Sequence, residues 1–217
     1  MIIAVDGPSG AGKSTVARIL AGKLGFLYID TGAMYRALTL KALENNVPIA
    51  DEKKIFELAR LTKIDLRNNA DGSLSVILDG RDISLDIRKP KITQFVSDLA
   101  KIKEVRQVLV RLQRDLGLSR DCVLDGRDIG TVVFPDAQKK FFIDASLEER
   151  VNRRFKELKC LGQDVSENDV AKDLSNRDNI DSTREASPLR KAEDAIYIDT
   201  TKLSIEQVVS KIMEYII

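Results

Sequence analysis

The chain has 217 residues, 35 Lys and Arg side chains against 34 Asp and Glu, no His and two Cys. The lack of His excludes a Ser-His-Asp triad, a Cys-His pair and a His general base. Two cysteines outside any CxxC motif cannot hold a zinc cluster, and they indicate a reducing compartment. A net charge of +1 argues against a general nucleic-acid-binding protein. No apolar run approaches the roughly 20 residues that span a bilayer, so we expect a cytoplasmic, one-domain protein without a membrane or nucleic-acid partner.

The first part of the chain alternates short apolar strands with helices. Residues 2–5 are predicted to form a strand buried on both faces, and residues 26–29 a second strand. Helices are predicted for residues 15–24, for the segment that begins at Thr31, and for residues 51–61. We expect the Thr31 side chain to cap the helix that follows it.

Residues 64–85 have a different pattern. Asp71-Gly72 and Asp79-Gly80 each lie beside a run of strand-forming residues, and Asp-Gly in that position is a strong hairpin signal. We therefore predict a small antiparallel β insertion. Pro90 then opens a long helical region that extends to about residue 116 and is interrupted near residues 101–103.

The alternation of strands and helices returns in the second half. Residues 122–124, 141–143 and 195–198 are predicted strands. Ser146 and Glu149 have the spacing of a capping box before a very basic helix over residues 150–159. Ser166 begins a polar helix, and Ser204 with Gln207 marks another helix start. The whole pattern predicts an α/β fold with a parallel sheet, flanking helices and one β insertion.

Residues 7–14 read Gly-Pro-Ser-Gly-Ala-Gly-Lys-Ser and satisfy the P-loop pattern GxxxxGK[ST] between a predicted strand and a predicted helix. Glycines let the loop turn its backbone N–H groups towards phosphate oxygens, and the helix N-terminus adds partial positive charge. Lys13 can reach the β- and γ-phosphates, and the Ser14 hydroxyl is the expected Mg²⁺ ligand. The motif predicts binding of a nucleoside triphosphate.

Three classes of triphosphate-binding protein remain open at this point: a GTPase or ATP-driven switch, a kinase of a small metabolite, and a nucleoside monophosphate kinase. The chain has no guanine-reading NKxD motif and is short for a motor. A reaction between two polyanions needs several cations that converge from different sides. Spacing alone does not say which of the scattered arginines converge. These are Arg36, Arg106, Arg127, Arg150, Arg153, Arg154, Arg177 and Arg184.

Four motifs in order carry a resemblance to the bacterial cytidylate kinase family. They are VDGPSGAGK at residues 5–13, DTGAMYR at 30–36, DGRDIGTVVFP at 125–135 and RDNIDSTR at 177–184. The resemblance covers essentially the whole chain, including the β insertion. It implies transfer of phosphate from ATP to CMP or dCMP, which gives ADP and CDP or dCDP. Nothing in the sequence demands more than a monomer.

The resemblance also implies how one domain, residues 1–217, is divided. The core, a five-stranded parallel sheet with helices, comprises residues 1–30, 117–148 and 185–217. The region that binds the monophosphate comprises about residues 31–116, and a helical lid about residues 149–184.

The P-loop pattern and the resemblance together imply a set of site residues. The ATP-binding residues are Gly7, Pro8, Ser9, Gly10, Ala11, Gly12, Lys13, Ser14 and Thr15. The CMP-binding residues are Thr31, Arg36, Arg127 and Arg184 for the phosphate, Arg177 and Asp181 for the ribose, and Ser97, Arg106 and Asp128 for the base. The catalytic residues are Lys13, Arg127, Arg154 and Arg184, and the Mg²⁺ ligands are Ser14 and Asp125.

The chemistry of cytosine fits the last trio. A carboxylate such as Asp128 suits the N4 amino donor, and Arg106 suits the N3 and O2 acceptors. Uracil has an acceptor in place of N4, so it would leave a buried pair unmade at a cost of about 1–3 kcal/mol.

Two ambiguous features are also interpreted. The sequence Asp-Gly-Arg-Asp occurs at residues 79–82 and again at residues 125–128, and we interpret the first copy as a hairpin turn. Arg150, Arg153 and Arg154 share one face of a helix. They either pair with neighbouring glutamates on a solvated surface or belong to a lid that closes over the phosphate, and we favour the lid.

Overall fold

The computed structural model describes residues 1–216, so Ile217, the last residue of the predicted core, lies outside it. In chain order the strands are β1 (Ile2–Asp6), β2 (Leu27–Asp30), β3 (Ile64–Asn68), β4 (Leu74–Leu78), β5 (Arg81–Asp82), β6 (Cys122–Gly126), β7 (Lys139–Asp144) and β8 (Ile196–Asp199). The α-helices are α1 (Lys13–Leu24), α2 (Thr31–Glu44), α3 (Glu52–Arg60), α4 (Pro90–Leu99), α5 (Lys103–Gly117), α6 (Leu147–Cys160), α7 (Glu167–Thr183) and α8 (Ile205–Met213).

Within residues 1–216 the strands form two sheets. Five strands pair in parallel in the order β2-β6-β1-β7-β8, and β3-β4-β5 form an antiparallel sheet. The predicted α/β class with a β insertion is confirmed. The long helical region after Pro90 is also interrupted as predicted, because α4 ends at Leu99 and α5 begins at Lys103.

The central strand β1 contributes to two apolar layers, because successive side chains of a strand point to opposite faces. Ile3 and Val5 belong to one buried cluster together with residues of α1 and α8. Ala4 belongs to a second cluster with residues of α2, α5 and the small sheet. A strand that is buried on both faces explains the continuous apolar run in the sequence. No helix of residues 1–216 is both long enough and apolar enough to cross a bilayer.

One predicted cap is wrong and a second is confirmed only in part, each for a local reason. Asp30 rather than Thr31 caps α2, because the Asp30 carboxylate accepts the Ala33 N–H at 2.7 Å. Thr31 is inside the helix. At α6, Ser146 accepts the Glu149 N–H, but Glu149 does not complete the capping box and instead binds Arg153 at 2.8 Å.

Gly7 follows β1 and begins the P-loop at a backbone φ of 148°, which L-residues with a side chain rarely adopt. A Cβ atom there would collide with the Ile143 carbonyl oxygen of β7. The loop therefore leaves the sheet through a position that only glycine fits.

We predict that Gly7→Ala lowers the free energy of unfolding by roughly 2 kcal/mol or more, because both backbone strain and the Ile143 clash must be accommodated. Urea unfolding followed by circular dichroism measures the change. Gly22→Ala is the matched control. Gly22 lies in α1 with open space around it, so this substitution is expected to stabilise the protein by about 0.5–1 kcal/mol. Equal stabilities for the two variants would contradict the prediction.

Candidate active site

A cleft of about 710 Å³ lies at the edge of the sheet where β1, β2 and β6 end. Ligand sites in open α/β sheets form at the carboxyl ends of the strands. Every predicted site residue except Gly7 and Pro8 lines this cleft. The residues come from the P-loop, the small helical region around α4 and α5, and helices α6 and α7, so the fold gathers segments that are far apart in sequence.

The donor end of the cleft is the P-loop and the start of α1. The first turn of α1 has no acidic residue, and Gly12, at the N-cap, supplies no side chain to cap it. The N–H groups are thus left for an anionic ligand. Lys13 Nζ donates to the Pro8 carbonyl at 2.6 Å. Burial, and after it the charge of Arg127, lower the pKa of Lys13 to about 7.

Oxygen ligands meet beside the P-loop. Ser14 Oγ donates to one carboxylate oxygen of Asp125 at 2.7 Å, and Tyr28 Oη donates to the other at 2.8 Å. Burial, followed by repulsion from Asp30, raises the pKa of Asp125 to about 6. Within residues 1–216 no cluster of three His, Cys, Asp or Glu side chains forms a metal cage. A hydroxyl and one carboxylate suit Mg²⁺, which takes its remaining ligands from waters and substrate phosphates.

The opposite end of the cleft contains a buried ion pair. Arg106 on α5 donates to Asp128 at 2.5 Å, and both side chains are less than 10% exposed. The Arg106 guanidinium lies over the Tyr35 ring, 5.3 Å from its centre, which is a favourable cation–π geometry. Ser97 on α4 is also buried and lines the cleft.

Three buried polar atoms at this end have no hydrogen-bond partner in the described part of the chain: Tyr35 Oη, Arg106 Nε and Arg184 Nη2. Buried polar groups are normally satisfied, so three unsatisfied groups on residues that line one cleft point to a polar ligand. Tyr35 lies in the motif at residues 30–36, but the resemblance assigned it no function. Its signal was its position next to Arg36 in α2.

Arg127 connects the two ends of the cleft. Its Nε donates to Asp181 on α7 at 2.8 Å, and its Nη2 donates to Ser9 Oγ of the P-loop at 2.7 Å. Arg184 lies 3.5 Å from Asp181 and 3.6 Å from Asp128. A cation is therefore placed between the loop that binds the donor and the residues assigned to the acceptor.

The other predicted residues are held at the rim. Arg36 pairs with Asp30 at 2.8 Å. Arg177 donates to the Thr93 carbonyl at 3.3 Å and pairs with Asp173 on its own helix. Thr31 Oγ1 donates to the Asp125 carbonyl at 2.7 Å.

The three arginines on the basic face of α6 make different contacts. Arg150 is buried and donates to the Ser9 carbonyl at 3.0 Å and to Asp178 at 2.5 Å, so it ties the P-loop to α7. Arg153 donates to the Thr200 carbonyl at 2.7 Å. Arg154 lines the cleft and pairs with the exposed Glu157. Pairing with a neighbouring glutamate thus applies to Arg153 and Arg154, whereas Arg150 binds the P-loop and α7.

Apolar residues that the sequence did not indicate also line the cleft, among them Leu161, Leu203 and Ile205. Leu161 and Ile205 are largely exposed. Exposed apolar side chains are common and their sequence gave no signal. They are set apart only by their place in the lining of the cleft.

A P-loop that faces a second, arginine-rich anion site across one cleft is the arrangement of a P-loop phosphotransferase. Known proteins agree. The cytidylate kinase family model matches residues 3–217. The cytidylate kinase of Caldanaerobacter subterraneus subsp. tengcongensis is 55% identical over 99% of this chain and 93% of its own length. The cytidylate kinase of Carboxydothermus hydrogenoformans is 51% identical over 100% of this chain and 97% of its own length. The chain belongs to the cytidylate kinase family.

Solved structures show the same fold at low identity. A gluconokinase from Sinorhizobium meliloti 1021 is 13% identical over 98% of this chain and 89% of that chain, with a TM-score of 0.50. An uncharacterized protein from Eubacterium ventriosum ATCC 27560 is 15% identical over 100% of this chain and 98% of that chain, with a TM-score of 0.53. The predicted family, the fold class and the assignment to phosphotransferases that act on CMP are confirmed.

We predict that Tyr28→Phe lowers the free energy of unfolding by about 1–2 kcal/mol, because Asp125 loses one of its two hydroxyl donors in a buried site. Chemical denaturation at pH 8, where Asp125 is ionised, measures the change. Tyr197→Phe is the control, since its hydroxyl makes only a 3.4 Å contact at an exposed position. A loss no larger in Tyr28→Phe than in Tyr197→Phe would refute the prediction.

Proposed function

We propose that this chain transfers the γ-phosphoryl group of ATP to the phosphate of CMP or dCMP, giving ADP and CDP or dCDP. The observation that carries the proposal is the buried Arg106–Asp128 pair, which lies in the same cleft as the P-loop and beside Arg127 and Arg184. ATP and the monophosphate are its partners. All the proposed site residues come from one chain, so a cytoplasmic monomer suffices.

The donor triphosphate is assigned to the P-loop, residues 7–15, with the uncapped start of α1 and Lys13 as its cations. Mg²⁺ is assigned to Ser14 and Asp125, which already share a hydrogen bond of 2.7 Å. When bound, Mg²⁺ neutralises charge on the β- and γ-phosphates. Leu161, Leu203 and Ile205 offer an apolar surface for the base of ATP.

The acceptor phosphate is assigned to Arg36, Arg127, Arg184 and Thr31. Arg177 and Asp181 are assigned to the ribose hydroxyls. These arginines are already oriented by carboxylates, since Asp30 holds Arg36 and Asp181 holds Arg127. Orientation before binding reduces the entropy cost of holding a doubly charged phosphate.

The base is assigned to Ser97, Arg106 and Asp128. One Asp128 oxygen is bound by Arg106 at 2.5 Å, which leaves the carboxylate acceptor capacity for the N4 amino group of cytosine. Arg106 Nε has no hydrogen-bond partner among residues 1–216 and is available to an acceptor atom of the base. Uracil cannot donate at that position, so it leaves the charged pair less well satisfied.

The transfer step needs positioning and charge neutralisation more than a base, because the CMP phosphate is already anionic near neutral pH. Lys13, Arg127, Arg184 and Arg154 stabilise charge on the transferring group. Residues 1–30, 117–148 and 185–217 act as the core, residues 31–116 bind the acceptor, and residues 149–184 form the lid. Closure of the lid brings Arg154 inward and excludes water, which limits wasteful ATP hydrolysis.

The direct test is an acceptor screen. We predict that CMP and dCMP strongly stimulate ADP formation from ATP and Mg²⁺, that UMP does so less, and that AMP and sugars do not. A coupled assay of ADP release at equal acceptor concentrations measures this. Strong stimulation by AMP or a sugar with none by CMP would overturn the function, and hydrolysis without any acceptor would favour a nucleotide-dependent switch.

We predict that Asp128→Asn reduces the preference for CMP over UMP by roughly 10-fold or more. A carboxylate offers two acceptor oxygens to the cytosine amino group, whereas an amide replaces one of them with a donor NH2 group. Values of kcat/KM for the two acceptors measure the preference. The chain offers a matched control in Asp82→Asn. Asp82 ends the other Asp-Gly-Arg-Asp copy and is exposed on the hairpin, so its substitution should leave both values unchanged. An unaltered preference in Asp128→Asn would show that Asp128 does not read the base.

A further inference from the structure

An unusual turn follows Asp128. Residues Ile129–Val133 form a π-helical turn in which the N–H groups of Val132 and Val133 both donate to the Asp128 carbonyl, at 2.9 and 3.1 Å. Isolated π turns are rare and occur frequently at functional sites. The first N–H groups of such a turn have no partner within it, and its last carbonyls have none either.

The N-terminal end of the turn is held by Asp6. The two oxygens of this carboxylate accept the N–H groups of Ile129 and Gly130, each at 2.8 Å. Asp6 is the last residue of β1, beside Gly126 of β6 in the parallel register. It is 5% exposed and does not line the cleft. Burial raises the pKa of Asp6 to about 7, so an ionised carboxylate is costly here and its placement calls for a reason beyond packing.

The C-terminal end of the same turn is held by Arg114. Its Nε donates to the Val133 carbonyl at 2.8 Å, and its Nη2 donates to the Val132 carbonyl at 2.7 Å. Arg114 lies on α5 and is also absent from the cleft lining. A negative group at the N–H end and a positive group at the carbonyl end match the dipole of a short helical turn.

Asp6 and Arg114, which we call the two clamps of the turn, both affect the position of Asp128. Asp128 is the N-cap of the turn, so the backbone direction of the turn sets where its carboxylate lies. Arg106, which binds Asp128, is on the same helix as Arg114. The strand β1 and the helix α5 therefore both fix the position of the Asp128–Arg106 pair relative to the P-loop.

We propose that Asp6 and Arg114 are positioning residues for base selection: they hold the two ends of the turn Ile129–Val133 and so keep the Asp128 carboxylate where only cytosine satisfies it. This rests on the proposed reading of the base by Asp128. A binding group must be held within about 0.5 Å of its productive position. Loss of a clamp therefore weakens the hydrogen bond to the base more than it weakens the phosphate contacts.

The experiment uses Arg114→Met, which keeps an apolar stem of similar length and removes both donors, and Arg114→Lys, which restores one donor. Arg111→Met is the matched control, since Arg111 is exposed on the same helix and forms no ion pair in the described residues. KM and kcat are measured for CMP and UMP at saturating ATP and Mg²⁺. We expect Arg114→Met to raise KM for CMP about 10-fold with kcat changed by less than about 2-fold.

The preference for CMP over UMP should fall by a similar factor in Arg114→Met, recover in part in Arg114→Lys and stay unchanged in Arg111→Met. Asp6→Asn should shift the preference in the same direction, because the amide presents N–H where the turn needs an acceptor. Arg114→Met provides the test even if Asp6→Asn does not fold. Equal losses for CMP and UMP, or a lower thermal midpoint with unchanged preference, would mean that the clamp is only structural.

Failure of this inference is distinguishable from failure of the proposed function. If the wild-type protein does not phosphorylate CMP, the function itself is wrong. If Asp128→Asn loses its preference for CMP while Arg114→Met keeps it, Asp128 reads the base and only the clamp is refuted. If Asp128→Asn keeps its preference, base reading by Asp128 fails and the clamp proposal fails with it.

Discussion

Parallel pairing of β1 and β2 with β6 brings the carboxyl ends of three strands to one edge of the sheet, and the functional arrangement depends on this alignment. Asp6, Asp30 and Asp125 come from these strand ends, so the sheet concentrates negative charge where anionic substrates are to bind. The fold offsets it locally: two N–H groups bind Asp6, Arg36 pairs with Asp30, and two hydroxyls bind Asp125. Asp30 and Asp125 thereby hold two groups that the proposed reaction uses, Arg36 and Ser14, whereas Asp6 holds the turn that follows Asp128.

The pairing of charges at this edge of the sheet shows how a protein of nearly neutral net charge can bind two polyanionic substrates. Arg106, Arg127 and Arg184 line the cleft and lie close to Asp128 and Asp181. Breaking such buried pairs is costly because one charge is left unpaired. The carboxylates therefore keep the arginines oriented, and the phosphate of a substrate can add to the network without first disordering it. A net charge of +1 is compatible with such local pairing of arginines and carboxylates.

The two Asp-Gly-Arg-Asp copies show how far identical residues can diverge in role. Residues 79–82 form the exposed turn and edge of the small sheet, with Asp79 and Gly80 at positive φ. Residues 125–128 end a buried strand and supply Asp125, Arg127 and Asp128 to the cleft. The interpretation of the first copy as a hairpin turn is confirmed. The distinction was visible in the sequence because only the second copy follows a fully apolar strand.

The sequence by itself determined the parallel α/β fold, the P-loop, the β insertion and the family, because these depend on local periodicity, on Asp-Gly turns and on contiguous motifs. Through the resemblance and the P-loop pattern, it also indicated just under half of the residues that line the cleft. Only the tertiary structure decided which side chains meet: Asp6 with the turn after Asp128, Tyr35 beneath Arg106, and Arg150 against the P-loop. The incomplete capping box of α6 has a local cause, since Glu149 pairs with Arg153 one turn further along the same helix. Spacing along the chain predicts contacts within an element, but contacts between elements depend on the crossovers of the sheet, which no short segment encodes.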